Sequence, residues 1–135
     1  MRNLVAQELF GGVLTYHSYS QLILYPWGNT SRPVEDETDL DTMRGLAGDM
    51  QRLIQGVHGQ TYVAQQASEL YPTAGDTTDW VYGEYDVPSF TVELRPATAL
   101  EGGFILPADQ IEPCWAENRP AALAFLQHVL EKPQP

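Results

Sequence analysis

The chain has 135 residues, 43% hydrophobic and 19% charged, an ordinary globular composition that is long enough for one domain with a core and excludes a disordered or fibrous class. Only 7 Lys and Arg stand against 18 Asp and Glu, for a formal net charge of -11, which excludes functions that depend on cationic side chains displacing counterions from a nucleic-acid backbone. No run approaches the ~20 apolar residues of a membrane span, so a soluble protein without a membrane partner is expected, and the single Cys114 leaves no intramolecular disulfide.

Near the N-terminus Leu4, Val5, Leu9 and Phe10 recur at helical spacing and Gly11-Gly12 supplies a stop, yet no capping residue precedes them. The expectation is a helix whose beginning lies upstream of Met1. Residues 13–16 form a short apolar run that reads as a buried strand. Residues 21–25 read as extended chain ending at Pro26-Trp27-Gly28, and His17-Ser18-Tyr19-Ser20 falls between the two. Residues 29–41 carry the Pro, Ser, Thr and acid of a surface loop, with Thr38 or Asp39 as the expected helix cap.

Leu40, Met43, Leu46, Ala47, Met50, Leu53, Ile54 and Val57 recur every three or four residues. They predict a helix running to Val57 that lays one face on a sheet and is closed by Gly59. Over residues 60–83 periodicity is lost, with a turn at Gly75-Asp76-Thr77-Thr78-Asp79, and irregular chain of that length is where functional loops concentrate. Phe90, Val92 and Leu94 alternate with Thr91, Glu93 and Arg95, a strand that puts Glu93 on the face opposite Val92. A Gly102-Gly103 turn follows, then a terminal helix over residues 118–131 with Pro120 in its first turn. This alternation of helix and strand indicates a layered α/β fold.

Two residues stand where chemistry could be mounted. His17 closes an apolar strand, a position where an imidazole is either a zinc ligand meeting a cleft or a satisfied structural histidine. Glu93 lies between apolar strand neighbours, where a carboxylate is either a desolvated base or a solvated edge residue. The residue types alone leave both choices open.

Longer segments carry more. His17-Ser18-Tyr19-Ser20-Gln21 followed by Leu22-Ile23-Leu24-Tyr25-Pro26-Trp27-Gly28 resembles the third-zinc-ligand segment of the zinc metallocarboxypeptidases of the carboxypeptidase A, B and T type. Tyr71, then Asp79-Trp80-Val81-Tyr82, Ser89-Phe90-Thr91-Val92-Glu93-Leu94-Arg95, Gly103-Phe104-Ile105-Leu106-Pro107 and Gln110-Ile111 continue that resemblance in family order. The resemblance implies the C-terminal half of the family's α/β/α domain, with a mixed, mostly parallel sheet between helices. It implies Zn2+ as cofactor with His17 as a ligand, and Glu93 as the general base that takes a proton from the activated water and passes it to the leaving amine.

Tyr71 would ride a loop that closes over the C-terminal carboxylate of a peptide, with Ser18 and Tyr19 shaping neighbouring subsites. Thr78 occupies the position that discriminates substrates in animal enzymes, and Asp76 resembles the acid of the bacterial carboxypeptidase T pattern. Mixed tolerance is therefore expected, with Asp76 pairing a basic side chain; a solvated turn aspartate is the alternative. The family's cis peptides map to Ser18-Tyr19, Pro26-Trp27 and Arg95-Pro96. His58, His128 and Cys114 match no ligand position.

The family's His-x-x-Glu ligand pair and its carboxylate-holding Arg and Asn precede the third ligand, and no His-x-x-Glu occurs in this sequence. One imidazole cannot make the three-ligand open site of catalytic zinc, so the chain alone is expected to lack peptidase activity. It is expected to need a missing N-terminal half of the domain, or to self-associate through an exposed sheet edge. Peptide or protein C-termini are the implied substrates, and secretion is implied if an upstream signal exists. Two alternatives are a non-catalytic binding remnant of the same fold and an acidic carbohydrate- or protein-binding module using its 3 Trp and 7 Tyr.

Overall fold

A computed structural model describes residues 10–131. The helix expected over residues 4–10 lies outside them except for Phe10, which is in no regular element. Strands β1 (Val13–Ser18) and β2 (Leu22–Tyr25) come first, then helix α1 (Glu37–His58), strand β3 (Val63–Gln66), helix α2 (Thr77–Tyr85), strand β4 (Ser89–Leu94) and helix α3 (Ile111–Glu131). The four strands form one mixed sheet in the order β1-β4-β2-β3, with β4 parallel to β1 and antiparallel to β2, and β2 parallel to β3. This is the layered α/β architecture that the sequence implied.

The main core lies on one face of the sheet. Ile23 and Tyr25 of β2 and Phe90 and Val92 of β4 meet the α1 stripe Met43, Ala47, Met50 and Ile54, and Phe125 of α3 closes the layer edge-on to Phe90 with ring centroids 5.9 Å apart. Alternation along β4 sends Thr91 and Glu93 to the other face, where among the described residues Leu22, Leu24, Ala67 and Leu70 make a small apolar patch. One face therefore supplies stability, and the other is left free to line a cleft.

Four local expectations are corrected. The cap of α1 is Asp36, whose carboxylate accepts from the backbone N–H of Thr38 at 2.8 Å and of Asp39 at 3.0 Å, so Thr38 and Asp39 lie inside the first turn. An aspartate three residues earlier meets the orphan donors just as well, and nothing in the apolar spacing separates the candidates. Replacing Asp36 by Ala is expected to lower unfolding free energy by about 1 kcal/mol, read from the urea midpoint. Gly59 ends the helix as expected, with φ 73° and its N–H on the Gln55 carbonyl.

The stretch over residues 60–83 is less irregular than its composition implied. Among the described residues β3 pairs only with β2, so no two-sided burial imposes an apolar alternation on it, and α2 is short and buries Thr78 and Asp79 beside Val81 and Tyr82. The irregular chain shrinks to residues 60–62 and 70–76. β1 is half-exposed rather than buried, because among the described residues it pairs with β4 alone.

α3 starts at Ile111, seven residues before the expected start, and carries Pro120 in its interior. The first turns hold because Glu117 and Asn118 are buried and hydrogen-bonded rather than solvated. Glu117 accepts from Tyr62 and Arg95, and Asn118 donates to the Cys114 carbonyl at 3.0 Å. Polar residues tied down in this way hide the apolar stripe that marks a helix in sequence.

Candidate active site

The sheet order brings together residues far apart in sequence. β4 inserts between β1 and β2 in a register that sets His17 opposite Glu93, so both side chains leave the same face near the C-terminal ends of two parallel strands. The imidazole Nδ1 stands 3.4 Å from Glu93 Oε1. On the other flank Leu22 of β2 lies opposite Glu93, and two residues back along β4 the Thr91 hydroxyl meets that of Thr15 at 3.1 Å.

The two side chains differ in environment. His17 is open, with 58% of its side chain exposed, whereas only 11% of the Glu93 side chain is. Burial pushes the Glu93 carboxyl above the usual carboxylate range; the His17 imidazole draws it back, and Asp76 pushes it further up. A carboxylate held this way is a better proton acceptor than a solvated one.

Both residues line two adjoining clefts. One, of about 240 Å³, adds Leu70, Tyr71, Asp76 and Thr91 to the pair. The other, of about 390 Å³, shares Leu70 and Tyr71 and adds Ser18, Tyr19 and Phe104. Tyr71 is 61% exposed at their common rim, and Tyr19 stands edge-on to Phe104 at 4.9 Å. The peptide bonds Ser18-Tyr19, Pro26-Trp27 and Arg95-Pro96 are cis, at the three places that the resemblance implied.

Six of the seven singled-out residues thus meet at these clefts, and Thr78 does not. It is 1% exposed, and its N–H and hydroxyl both donate to Asp76 Oδ1, at 2.8 and 2.7 Å. Thr78 completes the cap of α2 instead of forming cleft wall, because the helix start turns its side chain back onto the capping carboxylate. Asp76 combines two positions: it caps α2 and faces the cleft.

Leu70, Thr91 and Phe104 were given no role in the sequence. Thr91 follows from the same two-residue period that turns Glu93 to the cleft face, and Leu70 directly precedes Tyr71. Phe104 reaches Tyr19 only because two glycines with positive φ, Gly102 and Gly103, reverse the chain before it. His58 lies away from the clefts, with Nδ1 3.7 Å from Glu117 Oε2, and Cys114 is buried.

For a metal, the described residues offer one open imidazole beside one buried carboxylate, and no group of three or more His, Cys, Asp and Glu among them could hold an ion. That donor set suits a single ligand position, since an imidazole at an exposed strand end can reach an ion without unfolding anything. No helix among the described residues is long and apolar enough to cross a membrane.

Residues 1–121 match the family model described as zinc carboxypeptidase. The chain is 39% identical to carboxypeptidase A1 of Rattus norvegicus over 121 residues, covering 89% of this chain and 28% of that protein. It is 42% identical to carboxypeptidase B of Astacus astacus over 107 residues, covering 78% of this chain and 34% of that protein. The crystal structure of thrombin activatable fibrinolysis inhibitor superposes with a TM-score of 0.84 at 28% identity, covering 98% of this chain and 31% of that one. The chain belongs to the zinc carboxypeptidase family, and it spans about a third or less of the length of these relatives.

Proposed function

We propose that this chain is the C-terminal half of a zinc carboxypeptidase domain, and that the completed domain hydrolyses the C-terminal peptide bond of peptides. The observation that carries the reading is the register of β1 and β4, which sets an open imidazole 3.4 Å from a buried carboxylate on a cleft rimmed by Tyr71. His17 would hold the metal together with ligands from outside the described residues. Zinc, when held, polarises the scissile carbonyl and lowers the pKa of the attacking water.

Glu93 takes the proton from that water and returns it to the leaving amine, a task that its desolvated setting suits. Tyr71, on the irregular chain before α2, closes over the substrate's terminal carboxylate and excludes water. Ser18 and Tyr19 border the subsites on the far side of His17. Asp76 keeps Oδ2 outside its capping bonds and pairs a basic terminal side chain, while Leu24 and Leu70 admit apolar ones.

The isolated chain lacks peptidase activity in this reading, because one imidazole leaves too few ligands for catalytic zinc. Co-expression with a polypeptide carrying His-x-x-Glu is expected to restore stoichiometric zinc and cleavage of a benzoyl-dipeptide. His17→Ala is expected to weaken zinc binding by at least ~100-fold, since even outer-shell partners contribute about 10–100-fold. Zinc content indifferent to His17, or Glu93-dependent cleavage by the chain alone, sinks the proposal. In the restored enzyme Asp76→Asn retains the cap but is expected to reduce kcat/KM for C-terminal Arg about tenfold or more relative to C-terminal Leu. Equal ratios remove Asp76 from specificity.

A further inference from the structure

The irregular segment before α2 carries Tyr71 at one end and Asp76 at the other, and its middle is fastened to the body of the protein through a closed circuit of bonds. The Thr73 N–H donates to the Gly28 carbonyl at 2.9 Å. The Gly28 N–H in turn donates to Asp79 Oδ1 at 2.8 Å, and the Asn29 N–H to Asp79 Oδ2 at 3.0 Å. Asp79 sits in the first turn of α2, which begins at the Asp76 cap, so the circuit returns through the helix to the segment it holds. The turn at residues 26–30 is fixed from its other side, where the Gln66 amide donates to the carbonyls of Trp27 and Thr30 at 3.0 and 2.8 Å.

Packing shows how tight the joint is. A Cβ on Gly28 would stand 2.4 Å from Thr73 Oγ1, and that hydroxyl is a buried atom without a hydrogen-bond partner among the described residues. The two backbones approach closely here, and the approach encloses a polar atom. Asp79 itself is buried, and burial pushes its carboxyl up while the Gly28 and Asn29 N–H groups draw it back. A charge placed there costs stability unless its two bonds matter.

We infer that Asp79 is the positioning residue of the substrate-closing segment, holding Thr73 through Gly28 and so setting where Tyr71 and Asp76 stand over the His17–Glu93 cleft. It touches neither cleft and acts only through the turn it grips. The functional half of this inference rests on the carboxypeptidase reading of Tyr71 and Asp76; the mechanical half does not.

The test separates the two halves. In Asp79→Asn the amide can accept only one of the two N–H groups and turns its NH2 on the other. Hydrogen exchange on the chain alone is expected to show Thr73, Gly28 and Asn29 amides exchanging about tenfold or more faster, with Phe90 and Met50 unchanged. Gly28→Ala breaks the same circuit at its other joint and is expected to speed exchange at residue 73, with Thr73→Ala restoring protection in the double variant by removing the clashing oxygen. This pair decides the matter should Asp79→Asn fail to fold.

In the zinc-restored enzyme, Asp79→Asn is expected to raise KM about tenfold while kcat changes less, the pattern of a misplaced binding group. Slow exchange at Thr73 despite fast exchange at Gly28 overturns the inference, as does a loosened segment with unchanged KM. Absence of activity in the unsubstituted restored protein counts against the carboxypeptidase reading, and the exchange arm then decides the clamp by itself.

Discussion

Replacing Glu93 by Gln in the zinc-restored enzyme is expected to lower kcat by about 10²–10⁴-fold, the usual contribution of a general acid–base group. That corresponds to about 3–5 kcal/mol of transition-state stabilisation. The substitution preserves shape and removes only the ability to take a proton. Glu93 is 8% exposed with Leu22 opposite it on β2, so a neutral amide is no harder to bury there than a carboxylate. Thermal stability should therefore not fall with activity. KM should move little, because a group acting on water contributes to the transition state rather than to substrate binding. Kinetics on a benzoyl-dipeptide with parallel thermal unfolding check both halves, and a fall of less than threefold in kcat would reassign the proton transfer to another group.

The same position shows how far sequence reaches. Period-two alternation put Glu93 on the face opposite Val92, and the strand ending at His17 was readable from its apolar run. Their adjacency was not readable, because it depends on β4 entering between β1 and β2, and no local preference of residues 76 positions apart encodes a register. The resemblance of the quoted motifs supplied it instead. The α1 stripe was legible because one helical face does all its packing, whereas α2 was missed because its buried residues include Thr78 and Asp79. Asp79 read as a turn residue for the same reason: its partners are backbone N–H groups about fifty positions away, and a backbone donor leaves no mark in sequence.

α3 teaches the converse lesson and leads to the second large effect. Glu117 is 0% exposed, and Arg95 grips it with two nitrogens, Nε on Oε1 at 2.9 Å and Nη2 on Oε2. Tyr62 donates its hydroxyl to Glu117 Oε1 at 3.0 Å and accepts the Arg95 backbone N–H at 3.1 Å, and Arg95 Nη1 donates to Gln110 Oε1 at 2.8 Å. Burial pushes the Tyr62 hydroxyl well above its usual pKa, so it remains a donor at any ordinary pH. The cluster fastens the chain just beyond Glu93 to the first turns of α3.

Arg95→Met is expected to destabilise the chain by about 3–5 kcal/mol, because it strands the Glu117 carboxylate in the interior. Against the ~5–15 kcal/mol that domains of this size possess, such a loss takes a large share of the total. The double variant Arg95→Met/Glu117→Leu should recover most of it, since apolar side chains of similar volume are commonly neutral or stabilising where both charges are removed together. A urea double-mutant cycle measures the coupling. A single variant within 1 kcal/mol of the parent would mean that Glu117 keeps a compensating partner, either water or the His58 imidazole 3.7 Å from its Oε2. The partial rescue also bears on function: β4 would then be held by its ladders to β1 and β2 and by packing, without the buried ion pair, and if His17 still bound metal normally, the charged cluster would serve stability and not the alignment of the site.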